Sequence, residues 1–171
     1  MNQQENSSQE RQQSIETLRE LIRNIQVCML ATHSAEHGLR SRPMITGRHD
    51  FDGDLWFFTR ADDPKVVEIQ NNPFVNLVYS QPDRDRYVSI SGQAELIRDQ
   101  QKAELLWTDG LNEWFPKGPQ DSELVLICVH VCEAEYWDAD VNQLSDAVKA
   151  LFFTSTQANK HGKVDWKETA T

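Results

Sequence analysis

The chain is short of basic residues, cysteine and long apolar runs, and each shortage excludes something. Only 17 Lys and Arg stand against 27 Asp and Glu among 171 residues, a formal net charge of -10. Such a chain repels phosphate backbones at long range, so general nucleic-acid binding is disfavoured and any phosphate site must be local. That makes the few clustered basic residues informative. Three cysteines, Cys28, Cys128 and Cys132, form no disulfide framework. The longest apolar stretch, Leu124 to Val131, is far too short to span a bilayer and carries His130. The N-terminus, MNQQENSSQERQQ, lacks the basic-then-apolar pattern of a secretory signal. A cytoplasmic location without membrane association is expected. A Gly-x-Ser-x-Gly elbow, a His-Glu-x-x-His pair, a P-loop and a dinucleotide fingerprint are all missing, as is a nucleophile with an adjacent base.

What is present is an ordinary globular balance, 39% hydrophobic and 26% charged, at a length that suits one domain. Residues 1–13 are polar, rich in Gln and Ser, and expected to be a disordered tail. The domain is expected over 14–153, followed by a polar C-terminal tail over 154–171. From Ser14, a plausible N-cap, Ile15, Leu18, Leu21, Ile22 and Ile25 recur at helical spacing. Strands are predicted over 27–32 and 39–46, joined as a hairpin through the turn-like 33–38. An Asp-Gly turn signal at Asp52-Gly53 precedes a third strand over 55–59. Pro64 then suits the first position of a helix, with Asp62 and Asp63 as candidate caps and Asn71-Asn72-Pro73 as its end. Strands follow over 74–80 and 87–97, the latter with Gly92 marking a candidate bulge. Asp99 can cap a helix running to Trp107. The run 124–132 is strongly β-like and continues over 135–138 after a kink, and 142–153 reads as helix. About six strands joined by tight turns predict a mainly β fold, an antiparallel sheet closed or partly closed into a barrel, with flanking helices.

Four groups of residues could carry chemistry. Arg40 and Arg42 project from one face of a strand, where two guanidinium groups repel unless an anion or carboxylates lie between them. They fit either a phosphate site or a solvated face paired with acidic neighbours, and the residues alone favour the second. Phe57-Phe58-Thr59 leads through a short loop to a helix whose first turn holds Lys65. A helix N-terminus with a hydroxyl and an ammonium makes a reasonable anion site, although Asp62 and Asp63 would cap the helix and repel phosphate. Trp107, Trp114, Phe115, Tyr136 and Trp137 can stack on a heterocycle or fill a core. Cys128, His130 and Cys132 share a strand face, but their spacing matches no common zinc pattern, and no metal is expected.

Together, RSRPM (40–44), LWFFT (55–59), DDPKV (62–66), NNPFVNLVYS (71–80), YVSISGQAELI (87–97), WFPKGPQDSELVLICV (114–129) and EAEYWD (133–138) resemble the pyridoxamine 5′-phosphate oxidase-like FMN-binding split-barrel family, in its general stress protein branch. The ordered set, rather than any one motif, carries the resemblance, which covers about residues 15–153. It implies a six-stranded split β-barrel that forms a homodimer, with FMN at the dimer interface. It also implies that Arg42, Pro43 and Met44 run beside the flavin, that Phe58 and Thr59 approach it, and that Lys65 binds its phosphate. Trp114 and Trp137 match aromatics that reach the flavin from the partner subunit. The chain departs from the family in carrying Asp63 where Ser is frequent, two residues before the Lys. Its C-terminal HGKVDWKETAT replaces the Arg-x-His-x-Arg pattern used for the pyridoxal substrate, which argues against vitamin B6 oxidation.

The expected function is that of an FMN-binding general stress-type protein, a flavin-dependent oxidoreductase of unknown substrate, with NADH or NADPH as the candidate electron donor. The alternative is a non-catalytic FMN carrier or redox-sensing stress protein. A third reading is an interaction module with a different ligand or none. No catalytic residue is assigned, although Tyr79, His49 and Arg40 are candidates to lie near the flavin.

Overall fold

The computed structural model describes residues 3–47, 51–138 and 160–165. The elements run α1 (Gln3–Ile22), β1 (Val27–Ser34), β2 (Gly38–Ile45), β3 (Asp54–Arg60), α2 (Pro64–Asn71), β4 (Phe74–Gln81), β5 (Arg86–Ile97), α3 (Gln100–Leu106), β6 (Leu124–Asp138) and β7 (Lys160–Asp165). All six expected strands form, and they pair antiparallel in the order β2-β1-β4-β5-β6-β3, with β7 added on β6. The first six curl into a half-barrel flanked by the three α-helices.

The core follows from alternation. Cys28 and Leu30 of β1, Leu77 and Tyr79 of β4, Val88 and Ile90 of β5, and Ile127 and Val129 of β6 all point inward and are buried. Ile15, Leu18, Leu21 and Ile22 of α1, with Ile25 beyond it, close one side of that cluster, as their spacing predicts. A second cluster lies on the opposite face of β3 and β6. There α3 and the segment after it bring Ala103, Leu111 and Phe115 over Leu124 and Leu126, with Trp56, Phe58 and Trp107 at its margin.

One irregularity sets which residues face inward along β6. The β5/β6 register shifts between Ser91 and Gly92, so Cys132 has no partner on β5. A Cβ on Gly92 would lie 2.5 Å from the His130 carbonyl oxygen, so the close approach of backbones requires glycine here. Before this bulge the odd-numbered Val129 and Val131 face the core; after it Ala134 does. Asp138, fully buried by the same change of phase, accepts from Arg86 Nε at 3.0 Å and pairs with Nη2 at 2.9 Å.

Two terminal expectations change. α1 starts at Gln3, not Ser14, so residues 3–13 of the expected disordered tail are helical. That stretch has no glycine or proline and is rich in straight-chain Gln, Glu and Arg, which lose little freedom in a helix. Within the polar C-terminal tail, β7 pairs with Glu133–Asp138 of β6. Backbone pairing needs no apolar alternation, and KHGKVD shows none. The helix expected over 142–153 lies outside the described residues.

Candidate functional site

Four elements, β1, β2, β3 and α2, converge on one polar cluster. β2 is an edge strand whose Arg40, Arg42 and Met44 share a face, while Leu39, Ser41, Pro43 and Ile45 are exposed on the other. Pro43, which lacks an N–H, is tolerated there because an edge strand need not donate on its open side. Beside it, β1 presents Thr32, directly opposite Arg40 in register and 1% exposed. Over both lies α2. Asp63 caps that helix, its carboxylate accepting from the Lys65 backbone N–H at 3.1 Å, and Pro64 fills the first turn. Helical spacing then brings Lys65 and Glu68 onto the buried side, together with Val66 and Ile69.

The hydrogen bonds are mutually consistent. Thr32 donates its hydroxyl proton to Glu68 Oε2 at 2.6 Å and accepts from Arg42 Nη1 at 2.8 Å. Arg42 Nη2 donates to the same carboxylate at 2.8 Å, and Arg40 Nη1 to Glu68 Oε1 at 3.2 Å. Lys65 Nζ donates to Thr59 Oγ1 at 3.1 Å and to the Asp63 carboxylate. Arg42 also acts electrostatically on Asp63, which couples the two halves of the cluster. Three cations thus meet two carboxylates, leaving one net positive charge in a chain of net charge -10.

Both carboxylates stay ionised. Burial raises the Glu68 pKa, but hydrogen bonds from Thr32 and Arg42 and the charges of Arg42 and Arg40 outweigh it, and the net shift is downward. Asp63 is likewise raised by burial and lowered further by its hydrogen bonds and by the charges of Lys65 and Arg42. A depressed carboxyl pKa contributes stability that is complete above the unfolded value, 4.5 for Glu68, and is lost as the pH falls through the lower folded value. Glu68→Gln removes this term. Its urea-unfolding midpoint should therefore fall less steeply than that of the parent between about pH 6 and pH 3; parallel slopes would contradict the linkage.

The expected site residues separate into those gathered here and those placed elsewhere. Arg42, Thr59 and Lys65 meet in the cluster, and Arg40 joins them. Met44 shares Arg42's face but is 7% exposed within the main core. Pro43 points outward beside it. Phe58 points away from Thr59, because neighbours on a strand face opposite sides, and stacks edge-on against Trp107 with ring centroids 5.6 Å apart. Trp114 is 61% exposed in the segment before β6. Trp137 lies near the end of β6, opposite Tyr87 of β5 and His161 of β7 in register. Tyr79 is buried in the main core, where burial and then Cys28 push its phenol pKa well up. His49 lies outside the described residues. Sequence reasoning missed Thr32 and Glu68. The available signal was a Glu three residues after Lys65 on the apolar side of a short helix, where a charge needs a partner.

Thr32, Thr59, Lys65 and Glu68 of the cluster are buried, and Arg42 is half-buried. A cavity of about 430 Å³ opens between the end of α1, the start of β1 and β3, lined by Arg19, Thr46, Asp54, Leu55 and Tyr79 among others, and none of the clustered cations borders it.

Comparison with known proteins agrees with this architecture. A protein related to general stress protein 26 from Clostridium acetobutylicum superposes with a TM-score of 0.65 at 21% identity, covering 74% of this chain and 89% of that one. The general stress FMN/FAD binding protein of Xanthomonas citri gives 0.66 at 24% identity, covering 78% and 94%. Protein bli-3 of Neurospora crassa is 24% identical over 134 residues, 72% of this chain but 64% of its own length, so the chain spans under two thirds of that curated relative. The sequence model of the family described as pyridoxamine 5′-phosphate oxidase like matches residues 13–162. With the match running from within α1 into β7, the chain belongs to the pyridoxamine 5′-phosphate oxidase-like family.

Proposed function

We propose that this chain binds FMN and acts in the cytoplasm as a flavin-dependent oxidoreductase. The observation that carries the reading is the cluster of Arg40, Arg42 and Lys65 at the N-terminal half of α2, one positive charge in excess within an acidic chain. The donors suit a phosphate. Arg42 offers a planar fork, Lys65 a point charge and Thr59 a hydroxyl. When bound, the flavin would supply the electron chemistry, and the chain's residues hold and orient it. Asp63 opposes an added anion, so the phosphate must displace it from Lys65. The relative from Xanthomonas citri, an FMN/FAD binding protein, supports the choice of flavin.

The exposed outer face of β1, β2 and β4, across the sheet from the cluster, suits a second copy of the chain. Val27 pairs in register with Ile45, and Met29 with Pro43 and Val78. Of these, Val27 is 49%, Ile45 48% and Met29 39% exposed, so neighbouring apolar side chains share one uncovered face. A homodimer with FMN at its interface places Trp114 and Trp137 as candidate contacts from the partner. NADH or NADPH is the candidate donor. A non-catalytic FMN carrier or redox sensor is the second reading, favoured by Glu68 and Asp63, whose lowered pKa values leave neither carboxyl a proton to give near neutral pH.

The purified protein should be yellow, and should sediment as a dimer. A colourless protein that takes up no added FMN overturns the reading. Anaerobic mixing with NADH or NADPH separates the alternatives: bleaching followed by reoxidation with an added acceptor supports the enzyme, and no reduction supports the carrier. Lys65→Ala should weaken FMN binding by roughly 1.5–3 kcal/mol, the loss of one charge-assisted contact. Unchanged affinity in a fluorescence titration would remove Lys65 from the site.

A further inference from the structure

We propose that Asp54, Cys128 and His130 form a binding site for a zinc-type divalent cation on the outer face of β3 and β6. The site is distinct from the cation cluster, and the proposal does not depend on flavin binding. Sheet register builds it. β3 pairs Asp54 directly with His130, and Trp56 with Cys128, while β5 sets Glu95 opposite Cys128. Cys128 and His130 are two residues apart and face the same way. The ligand atoms of Asp54, Cys128 and His130 all lie within 4.8 Å of one another. Tetrahedral bonds of about 2.0–2.3 Å place ligand atoms roughly 3.3–3.8 Å apart. Side-chain rotation can close that difference without moving the strands.

The donor set selects the ion. One sulfur, one imidazole nitrogen and one carboxylate oxygen suit Zn²⁺ rather than Mg²⁺ or Ca²⁺, which take oxygen. His130 Nδ1 is 2.8 Å from Asp54 Oδ1, and Nε2 is 3.4 Å from Glu95 Oε2. With Nδ1 on the metal, Nε2–H donates to Glu95, the carboxylate behind the imidazole that commonly fixes a metal-bound histidine. Burial, then the charges of Asp54, Glu95 and Asp52, push the Cys128 thiol up to about 12, so its proton leaves only with the metal, whose charge those carboxylates favour. Lys102, whose Nζ sits 4.3 Å over the Trp56 ring, acts the other way. Binding takes Cys128 as the thiolate and releases its proton; no electrons move. Cys128 is buried at the inner end of the group and the His130 side chain is 50% exposed, so the fourth position opens to solvent. The linear spacing Cys128, His130, Cys132 could not show this site. The bulge takes Cys132 out of register, and Asp54 arrives from another strand.

The test uses the full-length protein, stripped with a chelator and titrated with Zn²⁺ by calorimetry. One zinc per chain is expected, and the X-ray absorption fine structure of the zinc-loaded protein should need one sulfur neighbour at about 2.3 Å beside nitrogen and oxygen at about 2.0 Å. His130→Gln, at a half-exposed position that should not prevent folding, is expected to weaken zinc at least tenfold, with Asp54→Asn acting in the same direction. A zinc shell of nitrogen and oxygen alone, or undiminished affinity in His130→Gln, would overturn the assignment.

Discussion

Arg42→Met should lower stability by about 3–5 kcal/mol and should weaken FMN binding as well. The reason is local. The Glu68 side chain is 8% exposed and Arg42's is 17% exposed. Without Arg42, Glu68 keeps only the Thr32 hydroxyl and Arg40, whose side chain is 44% exposed and correspondingly well screened. Leaving a buried charge undercompensated costs more than never having buried the pair. Adding Glu68→Leu to Arg42→Met should therefore recover at least half of the lost stability, measured by urea unfolding. It should not recover flavin affinity, because the phosphate has still lost its planar fork. If the double variant regained both, Arg42 would be a scaffold for Glu68 and nothing more. If it regained neither, the coupling read from the 2.8 Å contact would be wrong.

The second large effect lies far from that cluster. Asp138→Ala should also cost about 3–5 kcal/mol, because Arg86, with a side chain only 13% exposed, loses the carboxylate that receives two of its nitrogens. The pair ties the start of β5 to the end of β6. Arg86→Met combined with Asp138→Ala should be more stable than Asp138→Ala alone, since most of the loss belongs to the charge left behind. Simple additivity in chemical denaturation would show that the two residues act separately. Flavin uptake scaled to the folded fraction should not change in these variants, which distinguishes this pair from Arg42 and Glu68.

Much of this molecule can be read along the chain, and the limits have physical causes. The short aromatic and β-branched runs LWFFT and FVNLVYS and the Asp63-Pro64 start signal located β3, β4 and α2, because each depends on neighbours in sequence. Gly92 announced the bulge for the same reason, since only glycine admits the approach of the His130 carbonyl. Met44 and Phe58 show the opposite case. Both lie in segments of the family pattern, yet their side chains complete apolar clusters. Asp54 illustrates a third limit. An acidic residue in an acidic chain carries no mark of burial or pairing until distant strands meet it. β7 was hidden because a strand held by main-chain pairing at a sheet margin needs no pattern of its own.

Pro43 has a bearing on assembly. Among the described residues β2 ends the sheet with one unpaired margin, and the apolar face of Val27, Met29 and Ile45 lies beside it. An open margin next to sticky surface invites chain-on-chain growth without a natural stop. A residue with no N–H in the middle of that margin, flanked by Ser41 and two arginines, breaks the ladder such growth would need. Growth of strand on strand into a fibre is thereby disfavoured, which leaves the outer face as the surface for the pairing proposed above, a two-fold contact that would close on itself.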